Sequence, residues 1–204
     1  VPWNGKPVQE IQSARFRYIP DPLQVLLLAL KELFAGAEQC LAAPDRVGLF
    51  IDPGESLQPL QHEFLVPLLQ GEDAGPLLFP YTTDSMLVSH ACIHFSIKGA
   101  SAVLRSRDAS CMLEQVRVLL RAGHIDQAVV GALHYAHPSY CANRLESARR
   151  RFEVPFIDCA ACLLVDGDEP WPKLPAASRD FMARYGNTGR AGPFLQYLAD
   201  QECC

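Results

Sequence analysis

Nothing in this 204-residue chain is long and apolar enough to cross a bilayer. The richest stretch, LQVLLLALKELFAG, is broken by Lys31 and Glu32 and falls short of the roughly 18 residues a span needs. Positive charge is also in short supply. Lys and Arg number 18 against 23 Asp and Glu, and the net charge of −5 argues against nucleic acid or an anionic membrane as the partner. Glycine-rich phosphate loops, a serine–histidine–acid arrangement and nucleotide fingerprints are all missing, so no cofactor is expected. There is no internal repeat and no low-complexity tract. No secretory leader is expected either, although the chain opens on Val1, which fits a trimmed start.

Cysteine is present without a framework. The eight residues, Cys40, Cys92, Cys111, Cys141, Cys159, Cys162, Cys203 and Cys204, are scattered, unlike the dense pattern of a small disulfide-stapled secreted domain. They read as free thiols of a cytoplasmic protein. Cys159 and Cys162 have redox or zinc spacing, yet they sit in the apolar run VPFIDCAACLLVD, and no second pair follows. A strand points residues three apart to opposite faces, so small core side chains are the expected reading.

What is present is ordinary for one globular domain over residues 1–204: 49% hydrophobic and 20% charged residues. Apolar positions 23, 26, 27, 30, 33 and 34 predict an amphipathic helix over 22–38, opened by Asp21 and Pro22. DRVGLFID (45–52) predicts a buried strand ending at Pro53-Gly54, and a second helix is expected over 57–70. After the extended PLLFPYTTDS, Asp84 or Ser85 can cap a helix running to Phe95. A strand at 101–106, a helix at 108–122 stopped by Gly123, and strands at 127–134 and 155–165 follow. RLESARRRF reads as a charged surface excursion, and 176–200 as two short helices. Repeated strand–helix units with continuous apolar strands mean an α/β domain with a largely buried sheet.

The stretch 99–133, GASAVLRSRDASCMLEQVRVLLRAGHIDQAVVGAL, reads strand, turn, helix, turn, strand. It puts Cys111 near the start of a helix, where acyl-transfer enzymes hold a nucleophile. Helix amides there lower a thiol's pKa, and backbone N–H groups can form an oxyanion hole.

Four segments in order bring a family into view: FRYIPDPLQVLLLALKELFAGA with APDRVGLFIDPGES, then LLFPYTTDSMLVSHACIHFSIKGAS, then LLRAGHIDQAVVGAL, then FIDCAACLLVDGDEP. Together, over residues 14–170, they resemble the N-terminal half of a β-ketoacyl synthase of the thiolase superfamily. The resemblance implies a thiolase-like α/β fold with a mixed, mostly buried sheet. It also implies that the C-terminal half is largely missing, with 171–204 a short helical remnant of it.

The departures from the family are chemical. Its nucleophile sits in DTACSSS; counting forward from Gly99 puts that cysteine at Asp108, and counting back from Gly123 puts it at Ser106. Ser106, Arg107 and Asp108 are thus a degenerate nucleophile turn, and Cys111 lies too far along the helix. The family's HGTGT histidine has no counterpart. RYGNTGRAGPFLQYLA resembles the second histidine motif with Asn187 in the histidine's place, and asparagine cannot act as a general base. Cys111 is therefore read as a core or helix residue, a nucleophile being the alternative.

Within its helix, Met112, Leu113, Val116, Leu119 and Leu120 form an apolar stripe, and Ser110, Glu114, Arg117 and Arg121 a polar one. An intact synthase buries that helix nearly all round, so a polar stripe predicts a face turned to water or to a polar partner. His90 and His94, one helical turn apart, have no third ligand at a recognisable interval. His134 and His137 flank a strand end, and no metal is expected.

The resemblance implies a chain-length factor: a homologue without the active cysteine that pairs, in type II polyketide or fatty-acid-type biosynthesis, with a full-length ketosynthase. Short versions are associated with polyene synthesis. The pairing strand would be Ser101, Ala102, Val103, Leu104, Arg105 and Ser106. The acyl tunnel would be lined by Met86, Leu87, His90, Ile93 and Met112. An acyl carrier protein would be met only indirectly, and the chain alone could pair with itself. The alternatives are a small acyltransferase or thioesterase using Cys111, or a regulatory protein that binds the acyl carrier.

Overall fold

The computed structural model describes residues 19–37, 42–105, 109–135 and 159–166. Helix α1, Asp21–Ala37, is apolar on most of its surface, and Leu23, Leu26, Leu27 and Leu30 are fully buried. Its one buried polar residue, Gln24, donates from Nε2 to the Ile19 carbonyl (2.8 Å), while its buried Oε1 finds no partner among the described residues. A 3-10 turn at Pro44–Arg46 leads into β1, Val47–Asp52, buried at every position. Then come α2 (Gln58–Leu69), a 3-10 turn at Phe79–Thr82, α3 (Asp84–Phe95) and the short β2 (Ser101–Val103). Helix α4 (Ala109–Arg121) precedes β3 (Gln127–His134), and β4 (Cys159–Asp166) completes the sheet.

The strand order is β2-β1-β3-β4. β2 and β3 both pair with β1 in parallel, and β4 pairs with β3 antiparallel, so the sheet is mixed. Strand alternation sends its residues into two cores. Val47, Leu49, Ile51, Val129 and Leu133 pack with α1 and α3 on one face. Phe50, Ala128, Val130 and Ala132 pack with Met112, Leu113, Val116 and Leu120 of α4 on the other. Helices on both faces explain why β1 and β3 read as continuous apolar runs.

Several boundaries move. Asp21 is the first residue of α1, Asp45 falls in the 3-10 turn, and α4 starts at Ala109. The strand expected over 101–106 shortens to three residues, although the Leu104 N–H still donates to Ile51 (3.0 Å). Residues 155–158 and the expected helices at 176–200 lie outside the described residues, as does RLESARRRF. Helix α3 is preceded by Thr83 at its N-cap, and neither Asp84 nor Ser85 caps it. The Asp84 carboxylate is held by a guanidinium instead.

Gly99 is demanded by close approach. The backbone before β2 crosses β1 so tightly that a Cβ on Gly99 would run into the Val47 carbonyl oxygen, to which the Gly99 N–H donates (3.1 Å). Gly99→Ala must push β2 off β1. It should cost about 1–3 kcal/mol, the usual penalty for overpacking, read as a lowered urea midpoint at unchanged slope.

Candidate functional site

The strand expected to pair with a partner, β2, lies at an edge of the described sheet. Among the described residues β2 has β1 on one side and no strand on the other. The Leu49 N–H donates to the Ala100 carbonyl (3.1 Å) and the Leu104 N–H to the Ile51 carbonyl (3.0 Å). The even-numbered residues therefore spend their backbone groups on β1. Alternation turns the N–H and C=O of Ser101 and Val103 toward the open edge. Ser101 and Arg105 are exposed, while Ala102, Val103 and Leu104 are half-buried because their side chains pack into the two cores.

Two contacts fix this strand to α3. Arg105 Nε and Nη2 donate to Asp84 Oδ2 (2.5 Å) and Oδ1 (2.7 Å), a two-pronged pair across the end of the strand. The bond to Asp84 holds the Arg105 guanidinium above its ordinary pKa, with Asp52 and Glu55 adding to the field. At the other end Cys92 Sγ and Ser101 Oγ are 3.2 Å apart, and Ser101 Oγ donates to the Gly99 carbonyl (3.1 Å). Burial pushes the Cys92 thiol up, so it is the protonated, inert form that sits there. Arg105, expected to face a partner, is thus engaged within the chain. Asp84, the residue that engages it, reads in the sequence as a cap, because no spacing rule links positions 84 and 105.

The segment read from the sequence as a degenerate nucleophile turn falls between β2 and α4 in the chain. Ser106, Arg107 and Asp108, the side chain of Cys111, and Asn187 all lie outside the described residues. The backbone places Cys111 third in α4, within its first turn. Beyond it the helix divides as its sequence pattern predicts: Met112, Leu113, Val116 and Leu120 are buried, and Glu114, Gln115, Val118 and Arg121 are exposed. Arg117 Nη1 reaches Glu114 Oε1 at 3.3 Å along this outer face.

The five expected tunnel residues do not converge. Met86 and Leu87 are buried with α1 on one face of the sheet, and Met112 is buried with α4 on the other. Ile93 is exposed, and His90 is half-buried with its ring 5.6 Å from that of Tyr81. The cause is the crossover: β2 lies between α3 and α4 in sequence, and the two helices pack on opposite faces. Burial lowers the pKa of both His90 and His94, favouring the neutral ring. His94 packs against Phe95 (4.8 Å between ring centroids). Among the described residues, no three His, Cys, Asp or Glu side chains are grouped to hold a metal ion. Burial pushes the Cys162 thiol up to about 12, as suits a core residue rather than a reactive one.

No protein-family model and no curated protein matches the chain. Solved structures do. One is a ketosynthase (ApeO) in complex with its chain length factor (ApeC) from Xenorhabdus doucetiae, at TM-score 0.57 and 15% identity; the match covers 72% of this chain and 58% of that one. Another is the ishigamide ketosynthase/chain length factor, at TM-score 0.62 and 15% identity, covering 97% of this chain and 68% of that one. The fold is that of the ketosynthases and their chain length factors. At such low identity the likeness is one of architecture, and it agrees with the thiolase-like α/β fold the sequence segments imply. The chain spans well under the full length of either.

Proposed function

We propose that the chain is a non-catalytic partner subunit, a chain-length factor, of an active ketosynthase in type II polyketide biosynthesis of the polyene kind or in fatty-acid-type biosynthesis. The observation that carries this is the open edge of β2, which leads in the chain to the segment read from the sequence as a degenerate nucleophile turn. An edge strand with outward backbone donors and acceptors is a template for another strand, and natural proteins rarely leave one uncovered. The partner is a full-length, cysteine-containing ketosynthase, and the pair buries on the order of 2,000 Å² or more, as obligate pairs do. The acyl carrier protein is met through that partner. The likeness to ketosynthase/chain-length-factor pairs supports the same reading.

The chain works without its own covalent chemistry. A subunit that shares the interface can set the space left for a growing acyl chain and stabilise the active partner. The alternative, a nucleophilic Cys111, is favoured by one fact, its position in the first turn of α4. One experiment separates the two: the chain is co-expressed with a full-length ketosynthase, with and without Cys111→Ala. The complex carrying the change should keep its condensing activity within about twofold, as for a residue outside the transition-state machinery. The isolated chain should show no malonyl decarboxylation, and iodoacetamide should trap no acyl-enzyme on it. A thousandfold loss on Cys111→Ala would overturn the proposal.

A further inference from the structure

Helix α2 and the turn after it expose an apolar surface that the edge strand does not explain. Leu69 is 85% and Leu77 82% exposed, and Leu65, Leu68 and Phe79 are each near or above half. The residues are contiguous. Leu65, Leu68 and Leu69 share a helix face at spacings of three and four. Phe79 stacks on Phe64, four residues before Leu68, with centroids 5.6 Å apart. The Gln61 side chain, donating to the Thr82 carbonyl (2.8 Å), locks the turn onto the helix. Several hundred Å² of contiguous apolar surface on a folded domain marks an interaction site.

Charge narrows the occupant. From Val47 to Ile97 the sequence holds no lysine or arginine, while Asp52, Glu55, Glu63, Glu72, Asp73 and Asp84 all fall within it. Glu72 and Asp73 are exposed just past the end of α2, beside Leu69. A second copy of the chain docked here would set carboxylates against carboxylates, which costs affinity. Area narrows it further. A stable interface takes roughly 800 Å² from each partner, more than this patch supplies alone. Helix α3, however, touches both β2 and the 79–82 turn, and it carries the exposed Ile93. The patch and the edge strand are therefore joined through one helix that packs on both.

We propose that the α2 surface is a second contact with the ketosynthase subunit. That subunit meets Leu65, Leu68, Leu69, Leu77 and Phe79 with apolar side chains rimmed by lysine or arginine. The inference rests on the partner-subunit reading above, and its test keeps the two apart. The affinity of the full chain for the ketosynthase encoded nearest to it is measured across a salt series. The variants are Leu65→Ser/Leu69→Ser, Glu72→Lys/Asp73→Lys, and Val103→Pro as the edge-strand control. All four side chains changed on α2 and after it are exposed, so helix content and melting should stay as in the native chain.

The serine pair should weaken binding at least about tenfold at every salt concentration. The lysine pair should weaken it about tenfold at low salt, the gap closing as salt screens the charges. Native affinity in both, with Val103→Pro disrupting the complex, overturns the α2 contact and leaves the partner reading standing. Tighter binding by the lysine pair overturns the basic rim. A native homodimer dissolved by the serine pair overturns the choice of occupant. No binding by the native chain overturns both readings together.

Discussion

Co-expressed with a full-length ketosynthase, the native chain should co-elute with it in size-exclusion chromatography, and the Val103→Pro variant should elute apart. The position follows from the register of β2. Leu104 donates to Ile51 and Ala100 accepts from Leu49, so the Val103 N–H points away from β1. Proline there removes a donor that the folded chain does not use in its own sheet, and proline is tolerated on an edge strand for that reason. The chain should therefore still fold. A partner strand loses one ladder hydrogen bond and meets the pyrrolidine ring, for an expected loss on the order of a hundredfold in affinity. Val103→Ala keeps the N–H and should still pair. Alone, the native chain should be poorly soluble or should form a homodimer through the same edge. Co-elution of the proline variant would show that β2 is not the pairing strand, and a well-behaved native monomer that ignores the synthase would remove the support for a partner subunit.

The second large effect is expected in α4. Leu113 and Val116 are buried against Phe50, Val130 and Ala132, so Leu113→Ala should leave a cavity and cost about 2–4 kcal/mol. Arg117→Ala should cost under about 1 kcal/mol. Among the described residues Arg117 makes a long bond to the exposed Glu114 (3.3 Å), and its buried Nε finds no acceptor, so truncation removes an unmet donor along with the pair. Urea unfolding of the two variants gives the comparison directly. Equal costs would mean that the outer face of α4 is packed as tightly as its inner one. A small cost at Arg117 with a large one at Leu113 fits a helix whose outer face meets water or a polar partner, unlike the all-round burial of an intact synthase.

Elements with strong local signals were legible in the sequence. The period of Leu23, Leu26, Leu27 and Leu30 marks α1, and the run from Val47 to Asp52 marks β1. Gly123, at φ 68°, ends α4 where a left-handed residue is needed. The two stripes of α4 were readable for the same reason, since one helix carries its own periodicity. The candidate site was legible only where one segment contains it: β2 and the start of α4 lie in a single stretch. Relations between segments were not. The pairing of Arg105 with Asp84 joins residues with no common period. The split of Met86 and Met112 between opposite faces depends on which side of the sheet each crossover packs.

The sequence by itself determined most of the described elements, their order and the polar outer stripe of α4. These depend on residue identity and local period. Only the tertiary structure decided that β2 is an edge, that Val103 points its N–H outward, that β4 runs antiparallel, and that α2 carries an uncovered apolar face. Each of those is a matter of which segments meet, and backbone hydrogen bonds form between whatever strands come together, with little regard to the side chains that local patterns record.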